Sequence, residues 1–222
     1  MKRQFLNRTE AGCLLASRLT EYANRPDVLV LGLPRGGVPI AYEIATVLNA
    51  PLDIWLARKL GVPGNQELAM GAIGWGGEMV LNEELIESWK ISNSAIAQVA
   101  MREKEELARR DRLYRGSRPQ PDVRDRTIIL VDDGIATGST LSAAIASLRS
   151  RDPAEIVVAA PVIPPSACAD LRSKADKIAC LIKPDPFYFL GFWYNDFSPT
   201  SDARVCELLE RSQHRLASAT GV

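Results

Sequence analysis

Two adjacent carboxylates, Asp132 and Asp133, stand between four consecutive apolar residues and a turn of small and hydroxylic ones. The full run, residues 128–140, reads IILVDDGIATGST. Paired acids suit two neighbouring sugar hydroxyls or a hydrated cation. Gly134, Ala136, Thr137, Gly138, Ser139 and Thr140 then lead into a helical pattern from Leu141 to Leu148. Small residues leave backbone N–H groups unhindered, and a helix start adds partial positive charge, which together suit a phosphate. Acids for hydroxyls beside amides for a phosphate describe a site for a sugar phosphate. A plain strand–turn–helix with an acidic capping turn accounts for a lone glycine turn, but not for the whole run. The Walker pattern is excluded, because Gly138 is followed directly by Ser139 with no Lys between them. No G-x-G-x-x-G follows a predicted strand, so a dinucleotide fold has no fingerprint.

A second turn repeats the arrangement. A buried-strand pattern at 28–33 ends in Pro34-Arg35-Gly36-Gly37-Val38-Pro39, and a helix is predicted over 40–48. Taken alone this is either an ordinary strand-to-helix turn or a second anion site, to which Arg35 would add charge and a fork of donors.

The run V-D-D-G-I-A-T-G-S-T resembles the ribose-phosphate loop of the type I phosphoribosyltransferases, enzymes that use phosphoribosyl pyrophosphate. The resemblance implies that Asp132 and Asp133 hold the ribose hydroxyls and meet Mg²⁺ through water or those hydroxyls. It implies that Gly134 and 136–140 wrap the 5′-phosphate. Arg35, Gly36 and Gly37 match the family's pyrophosphate loop, which implies a cis peptide between Pro34 and Arg35. Arg58 and Lys59, just after a second strand pattern at 52–57, match basic residues that help hold pyrophosphate. The Pro- and Gly-rich stretch that follows, up to Glu67, reads as a mobile loop at the place of the family's lid. Glu67 is the only carboxylate of that loop, and is either a solvated loop acid or a proton acceptor. The implied reaction displaces magnesium pyrophosphate from the ribose anomeric carbon by a ring nitrogen of a planar base. In 6-oxopurine enzymes an acid precedes T-G; here it is Ala136, as in adenine-specific relatives. Either Glu67 supplies that carboxylate, the acceptor needs none, or the acceptor is not a purine. The chain is more similar to the group of predicted phosphoribosyltransferases of unassigned substrate than to any named salvage enzyme. A non-catalytic nucleotide- or RNA-binding regulator on the same fold, or a ribose-phosphate hydrolase or phosphorylase, are the alternatives.

The elements that must position these residues alternate. Further buried strands are predicted at 155–160 and 178–182, and helices at 9–22, with Thr9 as cap, and from Pro164/Pro165 to Lys174. Strands alternating with helices predict an α/β fold, a doubly wound parallel sheet with ligands at the carboxyl ends of its strands. We expect a core over 1–182 with a helical insert near 82–122, then a small C-terminal hood and helix over 183–222. Short strands are expected at 69–77, with Trp75 in a glycine turn, and at 79–81, and a helix capped by Asn82 at 83–89. In the insert, a helix at 94–112 carries REKEELARRDR, whose charges are expected to form solvated i,i+4 pairs at the surface or an oligomer contact. Residues 183–197 hold seven aromatic residues in fifteen, enough for a hood strand with rings to spare for a flat ligand. The stretch resembles the hood of hypoxanthine-guanine phosphoribosyltransferases, which implies Tyr188 or Phe189 stacked on the base, Lys183 as a base-reading lysine, and Asn195 or Asp196 near the metal.

Composition sets outer limits. At 222 residues the chain suits one domain with a small accessory part. Lys+Arg and Asp+Glu both number 27, so no global field draws nucleic acid, and none is expected as partner. No apolar run reaches membrane-spanning length and the start lacks the apolar core of a signal peptide, so a cytoplasmic location is expected, and a homodimer. The four cysteines form no metal-ligand spacing, and the one histidine, His214, lies in a polar tail. Any chemistry must run on carboxylates, amides, Lys or Arg and a borrowed metal.

Overall fold

A computed structural model of the chain describes residues 4–74 and 77–219, without the side chains of Glu67 and Ala219. Trp75 lies outside the described residues. The chain divides into two compact units: residues 1–55, 121–138 and 153–222, and residues 56–120 and 139–152.

The first unit is built on a five-stranded sheet in the order β2-β1-β6-β7-β8, with every pairing parallel. Its strands are β1 (Val28–Gly32), β2 (Leu52–Ile54), β6 (Thr127–Val131), β7 (Glu155–Val162) and β8 (Lys177–Ile182). β1 and β6 are buried at all five positions, the expected outcome for continuous apolar runs in a parallel sheet. Helix α1 (Arg8–Ala16) packs on α2 (Gly37–Leu48), which lies against β1, and α7 (Asp202–Ala219) packs on α2 and β2. α1 is capped by Asn7, whose side chain accepts from the Glu10 N–H, rather than by Thr9. Asn7 stands two residues earlier and offers an equally good acceptor. Helix α6 (Pro165–Leu171) ends three residues short of Lys174.

From β1 the chain turns to β2 on one side, whereas β6, β7 and β8 follow on the other. The strand order therefore reverses between β1 and β6, and the crevice at the carboxyl ends of those two strands is where open α/β sheets bind ligands.

The second unit carries an antiparallel sheet, β3 (Ala57–Val62), β4 (Asn65–Gly74) and β5 (Met79–Leu81). Residues 58–67, expected as a mobile loop, are a β-hairpin instead. Gly64, at φ +83, lets Pro63-Gly64 close the turn. The register slips at Gly61, where a Cβ would meet the Gln66 backbone at 2.9 Å. A bulge and a Pro-Gly turn have the composition of a loop, which hid the hairpin. The strand expected at 52–57 accordingly splits between β2 and the start of β3.

Helix α3 (Glu83–Ser88) is capped by Asn82 as expected, through a 3.1 Å bond from the Leu85 N–H. Helix α4 (Asn93–Arg115) packs on β3 and β4, and α5 (Ser139–Arg149) packs on the same sheet. The charged run is only partly solvated. Glu106 pairs with Arg109 and Arg110 at the surface, and hydrogen bonds from the two arginines hold its carboxyl down at about 2. Glu103, Asp111 and Arg115 are buried. They fall on the stripe 96, 100, 103, 107, 111, 114, 115, which is the helical period of the face turned to the sheet. Arg115 donates to Asp111 at 2.5 Å with 1% and 10% of the side chains exposed. Asp111→Ala strips a buried guanidinium of its carboxylate and is expected to cost about 3 kcal/mol, with Asp111→Asn milder. Urea unfolding measures it, and a loss below about 1 kcal/mol, as for a surface pair, would contradict the burial argument. Among the described residues no helix is long and apolar enough to cross a membrane.

Candidate functional site

Both glycine turns leave the sheet at the same level. β1 and β6 pair in register from Val28↔Thr127 to Gly32↔Val131, and the Leu33 N–H continues the ladder to the Val131 carbonyl at 2.8 Å. Pro34–Gly36 therefore emerges beside Asp132 and Asp133. The peptide between Pro34 and Arg35 is cis. Among the described residues nothing accepts from the N–H of Arg35 or Gly36, and the next residue, Gly37, begins α2. Two open amides at a helix start, with the exposed Arg35 side chain alongside, make a cationic cradle. Arg35 has one distant carboxylate, Asp202 at 3.8 Å.

The approach of the two turns is closer than any side chain permits. A Cβ on Gly36 would collide with the Asp133 carboxylate, and one on Gly37 would stand 2.5 Å from the Val131 carbonyl and 2.9 Å from the Asp132 Cα. The two glycines are required by space.

The paired acids differ in their surroundings. The Asp132 Oδ1 accepts from the Asp133 N–H at 2.9 Å. Burial pushes the Asp132 carboxyl well above the usual carboxylate range, and the charge of Asp133 adds to the effect. The Asp133 Oδ2 accepts from Nε and Nη2 of Arg8 at 2.9 and 2.8 Å. Beyond the acids, the Ile135 N–H bonds to the Val162 carbonyl, and Gly138, at φ +76, closes the turn before Ser139 and Thr140 open α5. Ala136 and Thr137 are exposed between them.

The hood is not a strand. Leu190–Trp193 form a 3-10 turn, and among the described residues the hood's one ladder contact is a bridge between Phe5 and Tyr194. Phe5 and Leu6 bond through their backbone to Trp193, Asn195 and Asp196, so a short N-terminal stretch ties the hood down. Pro184 and Pro186 carry no backbone N–H to donate to a ladder, which works against a strand here. Trp193 and Tyr194 are buried, whereas Tyr188 and Phe189 are 56% and 63% exposed. The Leu190 side chain closes over Gly134, where a Cβ would strike it. Tyr194 donates to the Asp133 carbonyl at 2.6 Å, and burial pushes its phenol up, so it stays a donor. Asp196 accepts from the hydroxyl and N–H of Ser198, bonds that hold its carboxyl below the ordinary range.

Arg58, Lys59 and Glu67 lie on the hairpin of the second unit. The Arg58 guanidinium pairs with Glu103 at 2.7 Å. Two contributors escaped the sequence, Arg8 and Tyr194. Arg8 meets Asp133 across 125 positions, a distance at which no spacing signal exists.

Comparison with known proteins gives the family. The model of the phosphoribosyl transferase domain matches residues 8–191. The chain belongs to the type I phosphoribosyltransferase family. Two curated Mycobacterium tuberculosis proteins, provisionally named phosphoribosyl transferases, are 40% identical over 218 residues, 98% of this chain. The chain spans about half the length of these relatives, 49% of each. The crystal structure of TT1426 from Thermus thermophilus is 38% identical, with a TM-score of 0.86 over 94% of this chain and 98% of that one.

Proposed function

We propose that the protein transfers the ribose 5-phosphate group of phosphoribosyl pyrophosphate to a ring nitrogen of a planar, nucleobase-like acceptor, releasing pyrophosphate. The observation that carries this reading is the contact of the two turns, Gly36 and Gly37 against Asp132 and Asp133, at the point where the strand order reverses. One pocket edge then offers amides and Arg35 to a diphosphate. The other offers carboxylates to ribose hydroxyls and small-residue amides, with Thr137, Ser139 and Thr140, to the 5′-phosphate. Positive charge develops on the ribose as the diphosphate departs, and fixed carboxylates beside the hydroxyls stabilise it. Holding both ends of the sugar phosphate supplies much of the remaining rate. Tyr188 and Phe189 present exposed rings on which a planar acceptor stacks. By family resemblance, Arg58 and Lys59 keep a role toward the diphosphate and Glu67 a role as proton acceptor.

Mg²⁺ fits this donor set. Among the described residues no cluster of three or more His, Cys, Asp or Glu forms an all-protein cage. The ion commonly keeps waters and substrate phosphates beside one or two carboxylates. Asp132 and the Oδ1 of Asp133 would hold it through water or ribose hydroxyls, and when bound it neutralises charge on the departing diphosphate.

Titration calorimetry with phosphoribosyl pyrophosphate and Mg²⁺ should show binding that is lost in Asp132→Asn/Asp133→Asn. Incubation with the same sugar phosphate and a panel of bases, followed by mass spectrometry, then reads the acceptor from base-dependent pyrophosphate release. Micromolar binding of RNA with none of the sugar phosphate would replace this reading with a regulator. Release of pyrophosphate without any base would replace it with a hydrolase.

A further inference from the structure

We propose that Arg8 is a positioning residue for Asp133, turning that carboxylate so that its second oxygen faces the ribose hydroxyls; the inference rests on the ribose-phosphate reading above. An arginine facing a carboxylate commonly forms two parallel bonds, one to each oxygen. Here Nε and Nη2 both donate to Oδ2, at 2.9 and 2.8 Å, and the fork leaves Oδ1 without a bond to Arg8. The third nitrogen, Nη1, donates to the Ser198 carbonyl at 2.8 Å. The guanidinium face lies 4.1 Å from the centre of the Phe197 ring, and Phe197 in turn stacks on Tyr194 at 4.9 Å. Only 12% of the Arg8 side chain is exposed.

Asp133 is thus fixed on every side by a different segment. Arg8, at the start of α1, holds one oxygen. Gly36 packs so tightly against that same oxygen that no side chain fits there. Tyr194 of the hood holds the backbone carbonyl. A surface ion pair needs none of this. Because Arg8 reaches Ser198 and Phe197 too, the position of the hood and the aim of the ribose acid are set by one side chain.

The test compares three ligands by calorimetry with Mg²⁺ present: phosphoribosyl pyrophosphate, ribose 5-phosphate and inorganic pyrophosphate. In Arg8→Met the first two should weaken by about tenfold or more, the scale of one charged hydrogen bond, while pyrophosphate stays within about twofold. Arg8→Lys restores the charge with a single compact donor and should recover part of the loss. Melting curves of both variants accompany the titrations, and the Lys variant carries the test if the Met variant does not fold. Equal weakening of all three ligands, or wild-type affinity for the two sugar phosphates, would overturn the positioning role. If the wild-type protein binds none of the three, the ribose-phosphate reading falls and takes this inference with it.

Discussion

Gly36→Ala is expected to abolish measurable binding of phosphoribosyl pyrophosphate while the melting temperature changes by only a few degrees; Gly37→Ala is expected to lose both. The difference lies in what each new methyl meets. At position 36 it strikes the carboxylate of Asp133, a side chain that can rotate away, although only by leaving Arg8. The cost to folding is that of modest overpacking, about 1–2 kcal/mol, which shifts melting by roughly 2–4 °C per kcal/mol in a chain of this size. The cost to the site is much larger, because the displaced group is one of the two acids proposed to hold the ribose, and the methyl stands at the amide cradle itself. At position 37 the methyl meets backbone, the Val131 carbonyl and the Asp132 Cα. No rotamer relieves that contact, and the ends of β1 and β6 must part. Calorimetry and thermal melts on the two variants separate the cases. Normal affinity in Gly36→Ala would show that the glycine turn and the acids do not share a pocket.

Much of this arrangement was legible before any coordinates, for physical reasons that also mark where legibility stops. β1 and β6 are continuous apolar runs, a pattern that suits a sheet buried on both faces, and each runs on into a glycine turn. The cis peptide at Pro34–Arg35 was implied by family resemblance, since nothing in the local composition demands it. From sequence the hairpin resembles a loop because Gly61, Pro63 and Gly64 are loop residues by composition. Their work there, a bulge and a tight turn, needs a partner strand to be recognised. The acids of α4 read as solvated because charge is usually outside, whereas Glu103 and Asp111 fall on the apolar stripe and find arginines there. The Arg8–Asp133 pair depends wholly on tertiary structure. A sequence displays the residues that bind backbone-first, through glycines and small turns, better than those that act by reaching across the fold.

Asp132→Asn is expected to change stability and binding in opposite directions. The folded protein raises the Asp132 pKa, because burial and the neighbouring Asp133 charge disfavour the ionised form. A carboxyl with a raised folded pKa holds its proton more tightly folded than unfolded. Its contribution therefore favours the folded state fully below the unfolded value, about 3.9, and is lost as pH rises through the raised value. Above that value the protein carries a poorly solvated charge in a crowded turn. Asparagine removes the charge and keeps the Oδ1 that accepts from the Asp133 N–H at 2.9 Å. At pH 8, without ligand, the variant should melt higher, by roughly 2–4 °C for each kcal/mol gained, with a gain of about 1 kcal/mol typical of a relieved functional site. The advantage should shrink toward pH 4, where the wild-type carboxyl is itself becoming neutral. Affinity for phosphoribosyl pyrophosphate should fall by about tenfold or more over the same range, since a neutral amide accepts ribose hydroxyls more weakly than a carboxylate. Were the variant less stable at pH 8, Asp132 would be serving the fold rather than the ligand. A residue that the fold would do better without is held by what it binds, and the opposite signs of the two changes measure that directly.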